Sequence, residues 1–179
     1  MPLSITNQTA GVTVQKKFIG FGDEAIANTL NIMKDIINKS SQDYYVRRWA
    51  EQIVGNSGKC DIDKVRAIFF FLANNTRYLK DPHGFELLKT PKISLELIEI
   101  GDTPQLDCDD YVILSLSLLK SIGYPVAMRA IAMEEDKKLK HVYGIVKTKQ
   151  GWIPLDLTKP ENDIGWEYPY ATRIVTTTV

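Results

Sequence analysis

Three residues in the second half of the chain could together cleave an amide bond. Cys108 is a potential thiol nucleophile, His141 a potential general base, and Asp156 a carboxylate that could hold the imidazole in the correct tautomer. From their spacing alone, two interpretations are equally open. The residues form a Cys-His-Asp catalytic group, or they are a core cysteine, an exposed strand histidine and an unrelated aspartate.

The sequence around Cys108 predicts that this cysteine opens a buried helix. Asp107 is a good N-cap, and Asp110 has the position of a capping-box acid that reaches back to the cap. The positive end of the helix dipole favours a thiolate at this position, whereas the neighbouring carboxylates oppose it. Apolar residues follow on nearly all sides over 112–122, and Gly123 predicts the helix end. A small apolar cysteine packed at a helix end is the structural alternative.

Two predicted strands, 141–147 and 152–158, bring the histidine and the aspartate together. If the turn between them is centred between Thr148 and Lys149, His141 and Asp156 are direct cross-strand partners. Directly opposed Cβ atoms lie roughly 4.5–5.5 Å apart, which allows a carboxylate to hold an imidazole. A loop of different parity would break this register.

The motifs that carry these residues resemble a known superfamily. They are, in chain order, Asp107-Cys108-Asp109-Asp110-Tyr111, then His141-Val142-Tyr143 at the start of a strand, then Trp152-Ile153-Pro154-Leu155-Asp156. This order and spacing resemble the transglutaminase-like superfamily, whose members have a papain-like Cys-His-Asp core. The resemblance covers roughly residues 61–158, and the N-terminal helices look like those of short stand-alone phage, prophage or bacterial members. One departure is Leu106, which stands where the family usually has a glycine before the Asp-Cys pair.

The resemblance implies a fold, a site and a reaction. The fold would be α+β, with N-terminal helices ahead of a central cysteine-bearing helix that packs on an antiparallel sheet. Cys108 would be the nucleophile, His141 the base and then the acid, and Asp156 the orienting residue. The backbone N–H of Cys108 is the expected oxyanion donor, and Gln105 and Tyr78 are the side-chain candidates for a second donor.

The remaining elements follow from hydrophobic periodicity and turn residues. Helices are predicted at 23–38, 43–54, 64–74 and 94–100, with Asp61 or Asp63 capping the third, and a first strand is predicted at 126–133. Residues 1–60 are interpreted as an N-terminal arm and helices packed on a core of residues 61–179, all within one globular domain. His83, in a Pro/Gly turn, is expected to be exposed, and Cys60 is interpreted as structural or incidental.

Composition limits the partners that the chain could have. The 179 residues carry 22 basic and 22 acidic side chains, so the formal net charge is zero. The chain therefore lacks the excess of basic residues that would suggest binding to nucleic acid. We expect no membrane span or signal peptide, and residence in the cytoplasm, or on the virion if a phage encodes the protein. Two cysteines and two histidines make a zinc site improbable, and no metal or cofactor is implied.

The expected reaction is acyl transfer from an amide of a protein or peptide substrate. Cys108 would form a thioester, which water resolves in a cysteine peptidase or amidase and an amine resolves in a cross-linking enzyme. Hydrolysis is preferred because excluding water in favour of an amine requires a built acceptor tunnel. The rival hypothesis is a non-catalytic phage structural or assembly module that retains the fold and binds phage structural proteins.

Overall fold

The computed structural model describes residues 5–9, 12–16, 22–81, 87–133, 135, 137–159 and 161–179. His83 and its Pro/Gly turn, together with part of the polar loop at 134–140, lie outside these residues. The helices are α1 (Gly22–Ser40), α2 (Tyr44–Val54), α3 (Asp61–Asn75), α4 (Pro91–Glu99) and α5 (Cys108–Ser121). The strands are β1 (Ile5–Thr9), β2 (Val12–Lys16), β3 (Arg77–Tyr78), β4 (Gln105–Leu106), β5 (Val126–Ala132), β6 (His141–Thr148), β7 (Gly151–Leu155) and β8 (Arg173–Thr178).

The main sheet has four antiparallel strands in the order β7-β6-β5-β8. Three of these strands were predicted from the sequence, and β8 was not. The signal for β8 is a run of five β-branched residues, which favours an extended chain: Ile174-Val175-Thr176-Thr177-Thr178. β1 and β2 form a separate hairpin, and β3 and β4 form a short parallel pair just before the cysteine helix.

Helix α5 is the centre of the fold. Every residue over 109–119 is buried, because the helix packs on β5 and β6 on one side while α1, α2, α3 and α4 cover the others. Its apolar side chains join those of the surrounding helices in one hydrophobic core. The predicted α+β arrangement, a buried cysteine-bearing helix on an antiparallel sheet, is confirmed.

One of the two hydrogen bonds predicted at the start of α5 is present, and the other is not. The Asp107 carboxylate accepts the backbone N–H of Asp110 at 3.2 Å, as an N-cap should. The expected reciprocal bond from the Asp110 side chain is replaced, because that carboxylate accepts the backbone N–H of Lys89 at 2.7 Å and its ammonium at 2.5 Å. The Asp110 side chain is fully buried. Burial raises the pKa of Asp110 by more than the hydrogen bonds and charge of Lys89 lower it.

Two helix starts differ from the predictions. The residue at the N-cap position of α3 is Cys60, so Asp61 and Asp63 lie in the first turn of the helix. There, their negative charges interact favourably with the positive end of the helix dipole. α4 begins at Pro91, three residues earlier than predicted, because proline is favoured in the first turn of a helix. The helix α5 ends as predicted, with Gly123 at a φ of +94° and its N–H bonded to the Lys120 carbonyl.

Among the described residues, no helix has the length and apolar character needed to cross a membrane.

Candidate active site

The side chains of His141 and Asp156 are in direct contact at one end of the sheet. Nε2 of His141 lies 2.8 Å from Oδ2 of Asp156, and both side chains are largely buried. With Nε2 bonded to the carboxylate, Nδ1 is the ring nitrogen left to accept a proton from another group. The sequence-based expectation that Asp156 holds the His141 ring therefore matches the geometry.

The register that produces this contact is not the predicted one. Thr148 pairs with Gly151 and Gly144 with Leu155, so the turn has two residues and is centred one position later than expected. Continuing that register places Tyr143 opposite Asp156, which makes His141 and Asp156 diagonal neighbours instead of direct partners. The prediction of a direct pair was wrong, but a register shift of two residues leaves every side chain on its original face. The side chains of His141 and Asp156 still reach each other across the two strands. Asp156 lies just beyond Leu155, the last residue of β7.

Asp156 is held by several groups besides His141. Its Oδ1 accepts the backbone N–H of Thr158 at 3.1 Å and the Thr158 hydroxyl at 2.7 Å, and the Asn162 amide lies 3.5 Å from its carbonyl oxygen. Burial acts to raise the pKa of Asp156, but the hydrogen bonds and charge of His141 and Thr158 outweigh it, so the pKa is lower than usual. The residue is an ionised, oriented carboxylate.

Cys108 lies at the N-terminus of α5 against the first residues of β6. The backbone N–H of Val142, next to His141 in the chain, lies close enough to the thiol to lower its pKa. The thiol itself donates to Oδ1 of Asp109 at 3.6 Å. The start of α5 and the start of the strand that carries the histidine are therefore neighbours.

The surroundings of Cys108 favour the neutral thiol. Burial raises the pKa of Cys108 most, and the charges of Asp109 and Asp107 raise it further, whereas the Val142 N–H lowers it. The sequence left open whether the helix dipole or the neighbouring acids would dominate. Burial and the acids outweigh the Val142 N–H, so the pKa of Cys108 is higher than usual.

The two oxyanion candidates differ in their placement. Tyr78 is in β3, paired with Leu106 two residues before the cysteine, and its side chain is partly exposed. Burial raises the pKa of Tyr78, and the charges of Asp107, Asp156, Asp109 and a Cys108 thiolate raise it further, in keeping with the pairing of Tyr78 beside Leu106. Gln105, in β4, is exposed. The oxyanion role of either side chain remains a prediction.

Sequence reasoning missed the hydrogen bond between Cys108 and Asp109. The only signal was that Asp109 follows Cys108 in the sequence. This adjacency indicated a charge that opposes thiolate formation, but it did not indicate a hydrogen bond. A second missed group lies on the face of the sheet away from α5, where Glu167 accepts hydrogen bonds from both Arg129 and Tyr143. The Tyr143 ring lies 6.0 Å from the His141 ring, so this group contacts the histidine from that face.

Comparisons with known proteins give structural neighbours but no sequence relatives. No protein-family model and no curated protein sequence matches the chain. A crystal structure from Parabacteroides distasonis, described as "a putative protease", superposes with a TM-score of 0.61 at 14% identity over 99% of this chain. A "putative cysteine protease" from Cytophaga hutchinsonii superposes with a TM-score of 0.53 at 15% identity over 83% of the chain.

The chain corresponds to only part of each neighbour, 40% of the first and 53% of the second. At these identities the likeness establishes architecture alone. In this chain, that architecture is a cysteine-bearing helix packed on an antiparallel sheet, with helices ahead of it. The protein has a transglutaminase-like, papain-like fold.

Proposed function

We propose that the chain is a cysteine hydrolase that cleaves amide or peptide bonds of a protein or peptide through a thioester. The observation that carries this proposal is the 2.8 Å contact between His141 and Asp156 at the start of β6, the strand whose Val142 N–H lies close enough to Cys108 to lower its pKa. A nucleophile, a base and an orienting carboxylate are the groups that acyl transfer needs, and the packing of α5 on β6 brings the elements that carry the first two together.

The first half of the reaction makes the thioester. The Cys108 sulfur attacks the amide carbonyl carbon while its proton passes to Nδ1 of His141, since Nε2 is engaged with Asp156. His141 then gives that proton to the departing nitrogen as the C–N bond breaks, which releases an amine. The raised pKa of Cys108 favours proton transfer to His141 during attack over a thiolate formed beforehand.

The negative oxygen of the tetrahedral intermediate needs hydrogen-bond donors. The backbone N–H of Cys108 lies in the first turn of α5, where N–H groups have no partner within the helix. The Tyr78 hydroxyl is the better of the two side-chain candidates because it lies near Cys108, and its raised pKa keeps it protonated as a donor. One such donor is typically worth on the order of 10²–10³ in rate.

The second half of the reaction resolves the thioester. His141 takes a proton from water, the hydroxyl oxygen attacks the carbonyl carbon, and the Cys108 thiol leaves with its proton restored, giving a carboxylic acid. An amine in place of water would give a new amide, which is the cross-linking alternative. Partial exposure of Tyr78 beside the site favours access of water.

Peptide cleavage tests this proposal. We would incubate the full chain with a mixed pool of synthetic peptides and identify new termini by mass spectrometry, with methylamine added in a parallel sample. Cleavage by the wild type and by Cys60→Ala, with none by Cys108→Ala or His141→Ala, is the expected result. Methylamide products in place of acids would indicate transfer, and peptides left intact by the wild type over a range of pH would overturn the proposal.

A non-catalytic binding or assembly module is the second candidate. The observation that favours it is the partly buried thiol beside two acids, since burial, Asp109 and Asp107 raise the pKa of Cys108. Phage structural proteins would be the partners, with the chain on the virion. If a phage encodes the chain, plaque formation distinguishes the two, because a Cys108→Ala phage that assembles and infects normally would favour this role.

A further inference from the structure

A cavity of about 230 Å³ opens beside the candidate site. Tyr78 and Thr76 form part of its wall, together with Tyr111 from α5 and Leu157 and Asn162 from the segment that follows Asp156. Small-molecule pockets are typically larger, roughly 300–1,000 Å³, so this volume suits one side chain of a longer substrate.

The cavity and the candidate site have a common wall. Tyr78 lines the cavity, and its phenol is near enough to Cys108 and Asp156 to be affected by the charge of each. On the other side, Asn162 lines the cavity while its amide lies 3.5 Å from the carbonyl of Asp156. A side chain seated in the cavity would therefore belong to a residue close to the bond that Cys108 attacks.

The lining combines a buried interior with a cationic mouth. Thr76, Tyr111 and Leu157 are buried, and the hydroxyls of the first two are hydrogen-bonded to each other at 2.9 Å. Arg77 and Lys159, both exposed, contribute two positive charges to the same lining. The Lys159 ammonium lies 6.0 Å from the centre of the Trp166 ring, a distance at which the ring attracts and holds a cation.

No carboxylate is among the residues that line this cavity in the described part of the chain. Four carboxylates are next to lining residues in the sequence. Asp156 is engaged with His141 and Thr158, Asp110 is engaged with Lys89, and Glu161 and Asp163 are exposed. We propose that the cavity binds an acidic side chain of the substrate, with Arg77 and Lys159 facing its carboxylate and Tyr111 and Leu157 enclosing its stem. This inference rests on the proposed function, since it gives the substrate class for the same site.

Binding to a protein without the nucleophile tests the cavity separately from catalysis. The probes are three blocked tripeptides that differ only in a central glutamate, glutamine or lysine. They would be titrated into ¹⁵N-labelled Cys108→Ala protein, and the backbone amide shifts of Thr76 and Asn162 followed by NMR. We expect saturable shifts at both amides and at least a tenfold preference for glutamate over glutamine, about 1.4 kcal/mol.

Charge reversal provides the matched controls. Arg77→Glu and Lys159→Glu, each on the Cys108→Ala background, are expected to abolish the glutamate preference and to favour the lysine peptide. Lys149→Glu makes the same charge change in the turn at the far end of β6 and should leave the preference intact. Because Arg77 and Lys159 are both exposed, the two reversals should fold, and amide spectra check this directly.

Three results would overturn the inference: equal affinity for the glutamate and glutamine peptides, a glutamate preference that survives both reversals, or shifts confined to residues outside the cavity. The outcome for the proposed function is separate. A wild-type protein that cleaves no peptide while the glutamate preference persists would refute the hydrolase and retain the acidic site. Peptide cleavage without any preference for acidic residues would support the hydrolase and refute the acidic site.

Discussion

The Cys108 thiol donates its hydrogen bond to the carboxylate of the next residue, Asp109, over 3.6 Å. Because this carboxylate is buried beside the sulfur, its negative charge opposes formation of the thiolate. A reactive cysteine usually lies in an electropositive environment, so this arrangement reduces the reactivity of the resting protein. Asp109 thereby becomes the residue whose replacement should affect the nucleophile most directly.

We predict that Asp109→Asn accelerates alkylation of Cys108 by iodoacetamide. Removing the negative charge lowers the pKa of the thiol, so more thiolate is present at a given pH, and each unit of decrease raises the rate about tenfold. Peptide mapping separates Cys108 from the exposed Cys60, whose rate should not change. Asp102→Asn, in an exposed loop, is the control, and equal Cys108 rates in the wild type and Asp109→Asn would contradict the prediction.

Asp156 should contribute stability that depends on pH. Its pKa in the folded protein is lower than usual, so ionisation favours the folded state above the ordinary aspartate pKa of about 3.9. This contribution is lost as the pH falls through the lowered pKa. Asp156→Asn should therefore reduce the Tm at pH 7 and reduce it less at pH 3, as measured by circular dichroism. A Tm difference that is the same at both pH values would rule out this linkage.

The ion pair between Lys89 and Asp110 should stabilise the start of the cysteine helix. Lys89→Met leaves the fully buried Asp110 carboxylate with only the backbone N–H, and we expect a loss of about 2 kcal/mol in the free energy of unfolding. Lys92→Met removes an exposed ion pair with Glu96 and should change it by less than about 0.5 kcal/mol. Urea denaturation measures both, and similar losses for the two variants would show that burial of Asp110 is unimportant.

Gly144 permits the close approach of β6 to α5. A Cβ at this position would lie 2.7 Å from Cδ2 of Leu116, nearer than real Cβ atoms come to any neighbour. Gly144→Ala should cost about 1–3 kcal/mol through overpacking. Leu116→Val removes the Cδ atoms, which include the nearest one, so the double variant should be more stable than the sum of the two single losses implies, by about 1 kcal/mol. If the stability losses of the two single variants add up to that of the double variant in urea denaturation, the prediction is wrong. The strand and the helix would then move apart to accommodate the added methyl group.

Much of the fold could be predicted because its signals are local. Asp107 caps α5 and Gly123 ends it, and both follow from the conformations that these residue types favour. The apolar residues over 112–122 predicted a helix covered on most sides, and alternation predicted β5, β6 and β7. β8 was missed because its β-branched run comes after a long stretch of the chain without periodicity.

Local sequence signals identify the residue types that could do chemistry and the elements on which they lie. How these side chains meet depends on contacts between elements that are distant in the sequence. The two-residue turn after Thr148 makes His141 and Asp156 diagonal neighbours, and turn length is a property that hydrophobic alternation does not encode. Packing likewise decided that Asp110 binds Lys89 instead of the cap, because the energy of a charge depends on its burial and on partners distant in the sequence.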